Sequence, residues 1–549
     1  MPKHSAMLQT MCLAASLVVG CSMNVDDAPD PSLSESSAEA LAPVNIKLSV
    51  IGTHATGVFN DLGAEIAAFD PRTGLLFSVS AGTGEVHVLD IGDPRAPVQV
   101  ASITTPGQPN SVAVHDGVVA IAVQAGVKTD PGLVQFFRAE SFAFINQVTV
   151  GSQPDMLTFT PDGRFVLVAN EGEPSDDYTI DPEGSVSVID LRAGVARLTQ
   201  ASVTAVGFDD TIPQRNAASL RVFGPSATLA RDLEPEYIAV SPDSRTAWVT
   251  LQENNAIAVL DIRRRRFTRL AGLGFKDHAL ADNALDPSDR DGEGGAGGIH
   301  LGSWPVRGMY QPDGVQAFQV RGRTYLVTAN EGDAREYAAF SELTRVKDLV
   351  SSGRLDPLSA AFAHAADAAL GRLRVTTATG DTDNDGDIDV LHAFGARSFS
   401  IWSPDVEMIF DSGDDLERRT AALEPANFNS TNDANQSFDT RSDDKGPEPE
   451  YVAVGRLYGR TYAFVGLERI GGIMVYDVTY PAWPQFATYI NHRDFAAVFD
   501  PTSFAAAKDL GPEGLLFIAP QDSPDGTPLL VVSNEVSGTT TILRVSRER

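Results

Sequence analysis

Cysteine is nearly absent from the 549-residue chain: two occur, Cys12 and Cys21, both within the first 21 residues. No internal disulfide is therefore expected in the body of the protein, and its fold has to stand on packing. Basic residues are scarce as well, 42 Lys and Arg against 73 Asp and Glu, for a formal charge of −31. Phosphate backbones are bound by clustered Lys and Arg, so this balance argues against a nucleic-acid partner and for metal cations as counter-ions. The single basic run, Arg263 to Arg266, follows an apolar run and reads as a solvated hairpin turn. Signatures of common catalysis are missing too: there is no Gly-x-Ser-x-Gly, no His-Glu-x-x-His and no Gly-Lys-Ser/Thr phosphate loop. The nine histidines are scattered, with His278 and His300 in a long insertion the two worth following. No hydrophobic tail closes the chain, which finishes Ser546-Arg-Glu-Arg549.

What is present begins with a leader. Lys3, an apolar stretch from Met11 to Val19 and then Gly20-Cys21 have the form of a secretory signal, too short for a mature membrane helix. Val18-Val19-Gly20-Cys21 resembles a bacterial lipobox, so residues 1–21 are expected to be a lipoprotein signal ending at a lipidated Cys21. Ser22 after the cysteine fits the pattern sorted to an outer membrane. Membrane contact is then expected through the lipid anchor only, each buried methylene contributing about 0.8 kcal/mol. Residues 22–43 are acidic, rich in Ser, Ala and Pro and free of aromatics, the composition of a flexible tether spanning roughly 25 Å.

Residues 44–549 carry a repeat. Gln153 to Leu191 holds an apolar run, a Pro-Asp-Gly turn, a second run ending Asn170-Glu171-Gly172, a polar loop and a third run. Runs rich in β-branched residues and bounded by turn chemistry are strands. Six further copies cover Ala64 to Ile91, Gln108 to Phe137, Glu234 to Ile262, Gln311 to Tyr337, Glu448 to Val478 and Gly511 to Val545. Units that cannot each bury a face alone pack on one another, and radial packing removes edges. The expected fold is all-β, a seven-bladed β-propeller closed by the N-terminal strand Asn45 to Ile51, with long loop insertions. Asp356-Pro357 to Leu370-Gly371 carries an N-cap, a first-position Pro and a C-cap Gly, predicting one short helix. The insertion Phe267 to Tyr310 is too long for a mere connection, and Phe428 to Lys445 is polar enough to be expected uncompacted.

The repeats put acid at two matched places. Entering the first strand stand Glu65, Asp155, Glu236, Asp313, Glu450 and Glu513, with Asn110 the neutral exception. Leaving the second strand stand Glu171, Glu253, Glu331, Glu468 and Glu535. In a propeller both places open on one face around the axis, so about ten carboxylates are expected at one pole, raising one another's pKa unless cations balance them. Two readings stay open, a salt-bridged structural ring and a site for divalent cations. Oxygen ligands suit Ca²⁺, with Mg²⁺, Mn²⁺ or Fe as alternatives, rather than zinc. Basic residues in the same loops, Lys276, Arg307, Arg335, Arg345, Lys347, Lys445 and Arg469, could balance the acids. A second acidic site is Asp381-Thr-Asp383-Asn-Asp385-Gly-Asp387-Ile-Asp389, the first half of a calcium loop with Gly at the sixth place. His392 stands where an EF-hand has its bidentate Glu, so no regular EF-hand is expected.

Idiosyncratic strings carry a family resemblance. They are Gly274-Phe-Lys-Asp-His278, Gly308-Met-Tyr-Gln-Pro-Asp313, Thr328-Ala-Asn-Glu-Gly-Asp333, Phe410-Asp-Ser-Gly-Asp414, Asp443-Asp-Lys-Gly-Pro-Glu-Pro-Glu450, Gly466-Leu-Glu-Arg-Ile-Gly-Gly472 and Ser533-Asn-Glu-Val-Ser-Gly-Thr539. With these the sequence resembles the choice-of-anchor I family, related to mesenchyme-specific cell surface glycoproteins of biomineralising animals. The resemblance implies an exported propeller held at the cell surface or outer membrane. Three functions are consistent with it. The first is a calcium-binding surface protein in binding or mineral and ion handling. The second is a metal-dependent, alkaline-phosphatase-like phosphoesterase, with Lys276, Arg335, Arg345, Lys347 or Arg469 clamping the phosphate ester. The third is a metal-free protein-interaction platform, for which a surface polymer is one partner.

Overall fold

The computed structural model describes residues 45–548. The expected lipoprotein signal, Cys21 and the expected tether lie outside the described residues. The architecture is all-β and propeller-like, with 36 strands, mostly in sheets of four or five, and few helices.

Three four-stranded meanders come first. They are Ala67–Asp70 to Val98–Thr104, Gln108–His115 to Phe144–Ser152, and Pro154–Phe159 to Val203–Gly207. The fourth sheet runs from Ile238–Val240 to Arg266–Gly272 and gains a fifth, parallel strand, Gln214–Arg215. The fifth holds Val315–Val320, Arg323–Asn330, Ser398–Trp402 and Met408–Asp411, the sixth runs from Pro449–Leu457 to Gln485–Ile490, and the last comprises Pro512–Ile518, Leu529–Asn534 and Thr539–Arg547. The predicted N-terminal strand forms as Ile46–Ala55 and joins this last sheet, antiparallel to Thr539–Arg547 with Ile46 opposite Arg547. First strands of successive sheets touch, and Pro512–Ile518 in turn touches Ala67–Asp70.

Burial explains the residue choices. Second strands such as Phe165–Asn170 and Leu529–Asn534 are buried along their whole length, because sheets cover both their faces. That is why they read as unbroken apolar runs rather than alternating ones. Outer strands such as Val98–Thr104 are largely exposed. Clusters between neighbouring sheets, for example Phe77, Val88, Val119 and Ile121, form the core. Arg263 to Arg266 does make a hairpin turn, with Arg265 at φ 51° and its guanidinium 2.9 Å from Asp190.

Three expectations need correction. Asp356 to Gly371 is not a helix but turns and two 3-10 segments, Phe362–His364 and Leu370–Arg372. Only Ala361, Leu370 and Gly371 of that stretch are buried while Leu358 is 92% exposed, so no apolar stripe holds a helix against the core. Among the described residues the longest helix is instead Asp415–Leu423, with Val346–Ser351 and Leu229–Asp232 besides. Nor is Phe428 to Lys445 uncompacted. Phe428, Asn429 and Ser442 are buried, and Asn429 donates to Glu417 at 2.9 Å and to Ser442 Oγ at 2.8 Å. Finally, the fifth repeat does not finish by Tyr337, because its third strand waits until Ser398–Trp402. Much of the intervening chain joins the earlier insertion in a separate sheet made of Phe275–Asp277, Arg307–Met309, His392–Ala393, Arg374–Thr376 and Leu343–Arg345. Leu285, Leu349, Leu355, Leu373, Ile388 and Leu391 give it a core of its own.

Candidate functional site

The entering acids other than Glu65 follow proline, and the backbone there repeats. Residues ahead of these prolines, Gln153, Gln311, Glu448 and Gly511, have left-handed φ values of 47°, 39°, 49° and 66°. The strand then slips register at Pro154/Leu157, Pro109/Ser111, Pro449/Val452 and Pro512/Gly514. A bulge of this kind re-aims the extra residue out of the sheet. Here that residue is Asp155, Asn110, Glu450 or Glu513. Leaving acids are tied to the same corner. The amides of Glu171, Glu468 and Glu535 donate to the carbonyls of Gln153, Glu448 and Gly511 at 3.0, 2.9 and 2.8 Å. Each of these sheets thus delivers a pair of carboxylates to one place.

The pairs face one another across sheets. Burial first, then Glu253, Asp313, Glu171 and Asp155, pushes Glu236 well above the carboxylate range. Burial followed by Glu331, Glu513, Asp313 and Glu468 does the same to Glu450, and Glu513 feels Glu535, Glu468, Asp313 and Glu65 after its own burial. Burial, with carboxylates nearby, lifts Asp155 and Glu253 to about 7 and Asp313 to about 8. The predicted pole therefore gathers Glu65, Asp155, Glu171, Glu236, Glu253, Asp313, Glu331, Glu450, Glu468, Glu513 and Glu535. It surrounds a cavity of about 220 Å³ whose lining includes Glu65, Asp155, Asp313, Glu513, Tyr237 and Tyr451. Tyr237 and Tyr451 share a hydrogen bond, and both also border a second cavity of about 400 Å³ lined by Phe69, Phe159, Val454 and Phe517 among others.

Counter-charge is unevenly distributed around this mouth. Glu331, Glu448 and Glu468 bring oxygens within 4.8 Å of one another, yet protein cations already sit among them. Lys445 Nζ lies 2.5 Å from Glu331 and 3.0 Å from Glu448, and Arg469 reaches Glu448 and Glu468, both at 3.0 Å. Burial would raise Glu448, but Lys445, Arg441 and Arg469 outweigh it and hold this carboxylate well below its usual range. Sequence reasoning missed Glu448 and Glu234, although Glu-Pro-Glu-Tyr recurs at 234–237 and 448–451 and marks both. Arg335 is fully spent on Asp232 Oδ1 at 2.6 Å, the Asp232 carbonyl at 2.7 Å and Glu234 at 2.9 Å. Glu236 Oε2 and Glu253 Oε2 are buried without a hydrogen-bond partner, on residues 7% and 6% exposed, and of the two Glu253 feels the charge of Arg335.

The other predicted anion-binding cations are also engaged. Lys276 donates to the carbonyls of Ala396 and Gly413 and lies 3.1 Å from Asp411. Arg345 pairs with Asp443 at 2.6 Å, and Lys347 with Asp367 at 3.0 Å near the surface. His278 is buried with Nδ1 2.6 Å from the Asn283 carbonyl, and His300 pairs with Asp291 at 2.7 Å.

The Asp-rich loop joins the paired strands Arg374–Thr376 and His392–Ala393 in the inserted sheet. Asp381 accepts from the amides of Asn384 at 2.7 Å and Gly386 at 3.0 Å, curling the chain round. Gly386 takes φ 103°, which a side chain would strain. Asp381, Asp383 and Asp385 then offer oxygens within 4.8 Å of one another. Neighbouring Asp385 raises Asp383, whereas Asp389 is occupied by the Thr382 hydroxyl and amide, both at 2.6 Å. Asp387 is raised by desolvation and by Asp385. His392 is buried in its strand, and burial with Arg307 and Arg221 nearby lowers it to about 4.

Comparison with known proteins gives a family match and distant relatives. The choice-of-anchor I domain matches residues 65–481. Gigasin-3a of Magallana gigas is 32% identical over 195 residues, covering 33% of this chain and 66% of that protein. A mesenchyme-specific cell surface glycoprotein of Strongylocentrotus purpuratus is 27% identical over 291 residues, covering 46% of this chain and 35% of that protein. Less than two thirds of either relative's length is thus spanned. Among solved structures, hydrazine synthase of Kuenenia stuttgartiensis aligns with a TM-score of 0.45 at 12% identity, covering 89% of this chain and 98% of that one. A streptogramin B lyase aligns at 0.44 and 9%, covering 92% and 98%.

Proposed function

This chain belongs to the choice-of-anchor I family, and from that premise we propose that it is an exported, surface-displayed protein that binds divalent cations at the acidic mouth of a closed, seven-bladed propeller. In this reading the seven repeat sheets are the blades, and the strand Ile46–Ala55 closes the ring through Thr539–Arg547. Lipidation at Cys21 anchors the protein in an outer membrane or at the cell surface. Its role is surface binding or ion and mineral handling, in keeping with a relative described as a cell surface glycoprotein.

One observation carries the cation reading. Buried carboxylates from different sheets face one cavity, where Glu65 Oε2 has no partner, and beside it Glu236 Oε2, next to Asp313 and Asp155, has none either. Buried charge without a counter-charge is costly, so either protons or metal ions must neutralise it. The loop Asp381 to Asp389 adds a separate Ca²⁺ site of three close carboxylates on a glycine turn. A phosphoesterase would need a cation free to clamp phosphate, and Lys276, Arg335, Arg345, Lys347 and Arg469 all have acidic partners. Cation binding is therefore the better supported function.

Metal analysis after exhaustive dialysis tests this, together with melting in chelator and in Ca²⁺ or Mg²⁺. Bound ion and a melting temperature raised by the ions are expected, since a ligand that binds only the native state stabilises it. Protein free of metal whose melting ignores both ions and chelator would overturn the reading.

A further inference from the structure

Ligand spacing separates two kinds of cation site in this chain. A dehydrated Ca²⁺ or Mg²⁺ needs oxygens at about 2.0–2.6 Å from the metal, hence close to one another. Among the described residues, two groups of three acidic side chains meet that condition, Asp381, Asp383 and Asp385 in the exposed loop and Glu331, Glu448 and Glu468 around Lys445. Neither group lines the axial cavity. Its own acids, Glu65, Asp155, Asp313 and Glu513, come from separate sheets and stand around a space of about 220 Å³. Water occupies about 30 Å³ per molecule, so an ion with six waters needs about 180 Å³.

The remaining lining suits such a guest. Gln108, Asn110, Gln124 and Gln153 interleave amides with the acids. The acceptor oxygens of Asn110 and Gln153 are buried and without a partner. So is the Oε2 of Glu65, one of the lining acids, and so, just outside the lining, is that of Glu236, a side chain more than nine-tenths buried beside Asp313 and Asp155. Carboxylate and amide acceptors in excess of donors match the outward-pointing hydrogens of coordinated water, whereas a bare anion or a neutral apolar molecule would leave them unmatched. Mg²⁺ gives up its waters reluctantly and so fits this arrangement best.

We propose that the axial cavity takes a divalent cation of the Mg²⁺ class with its first water shell intact, the carboxylates and amides bonding to the waters rather than to the metal. This rests on the cation-binding reading above and specifies how the mouth does it. Ca²⁺ held directly by oxygen then belongs to the Asp381 loop.

Hexaamminecobalt(III) tests it, because its ligands do not exchange and it can bind only through its outer shell. Calorimetric titration of the full chain is expected to detect binding at least as tight as that of Mg²⁺, with each displacing the other. The double variant Asp155→Asn, Asp313→Asn should weaken both by about tenfold or more, while Asp383→Asn leaves them unchanged. Asn mimics the protonated acid, and circular dichroism melting of each variant verifies that it folds. If Mg²⁺, Ca²⁺ or Mn²⁺ bind at the mouth and hexaamminecobalt(III) does not, the outer-shell mode is overturned while the cation-binding reading stands. Equal binding of hexaamminecobalt(III) to the double variant would likewise overturn it, as attraction to the acidic surface alone. Absence of binding by every ion would remove both readings.

Discussion

Lys445 places its ammonium 2.5 Å from Glu331 Oε1, in the middle of the tightest group of acids at the mouth. A protein cation thus stands where a metal would otherwise be expected. Burial alone would lower the pKa of Lys445, but Glu331, Glu448 and Asp333 reverse this and keep it raised and charged. Replacing it by Met leaves Glu331 without its ion-pair partner, while Glu448 keeps Arg441 and Arg469. Breaking a buried pair in this way costs about 3–5 kcal/mol. Urea denaturation of Lys445→Met in chelator is expected to show a loss of that order, and an unchanged midpoint would contradict the central role given to this lysine.

Stability of the metal-free protein should fall as pH rises. Buried Asp155 and Glu253 hold their protons to about 7 and Asp313 to about 8, whereas in the unfolded chain they release them near 4. Between those values the native state binds more protons, so the slope of unfolding free energy against pH is negative. Melting in chelator is expected to be highest near pH 5 and to drop progressively towards pH 8.5. Glu448 has the opposite sign but titrates below this window. Divalent ions should restore stability most at the alkaline end; a flat profile would contradict these shifts.

Asp383 and Asp385 are exposed, and their carboxylates accept only local amides, at 3.3 and 3.2 Å. Changing both to Asn is therefore expected to alter metal-free stability by no more than about 0.5 kcal/mol. The same variant should lose one Ca²⁺ per chain in equilibrium dialysis. Undiminished Ca²⁺ stoichiometry would remove this loop as a site.

Tyr337 donates to Glu173 at 2.9 Å, while Lys128 lies 2.7 Å from the other oxygen of that carboxylate and 5.0 Å from the Tyr337 ring. With the Ala339 amide bonded to the Asp176 carbonyl at 2.9 Å, this holds the short hairpin Glu336–Tyr337 and Phe340–Ser341 against the loop of the third sheet. Tyr337→Phe removes one hydrogen bond, worth about 1 kcal/mol. Amide exchange should speed up in residues 336–341 and remain unchanged in the second strands; equal rates in the hairpin would count against the latch.

Most of the architecture was legible because five of the seven repeats advertise themselves three times, in the Pro-acid entry, the apolar second strand and the acid leaving it. The bulge that turns Asp155 or Glu513 out of the sheet follows from its local sequence, so the gathering of acids could be foreseen. Their counter-charges could not. Lys445 and Arg441 come from a stretch whose polar composition suggested loose chain, but its side chains satisfy one another: Arg397 donates to the carbonyls of Ser442 and Asp444 at 2.8 Å and to Glu417 at 2.8 Å. Buried polar networks of this kind leave no hydrophobic pattern. The helix predicted after Asp356 failed for the converse reason, since its end signals were sound but no stripe of apolar residues gave it a surface to lie on.

The pairing of Ile46–Ala55 with Thr539–Arg547 also has a consequence for how the molecule comes into being. The strand Ile46–Ala55 leaves the ribosome with its partner almost five hundred residues behind it. Until then one edge at each end of the chain lacks its neighbour, and unpaired edges are where chains stick to one another. Completion of this sheet thus comes long after its N-terminal strand is made, and a polypeptide that stops short of Thr539–Arg547 forfeits the contribution of Ile46–Ala55.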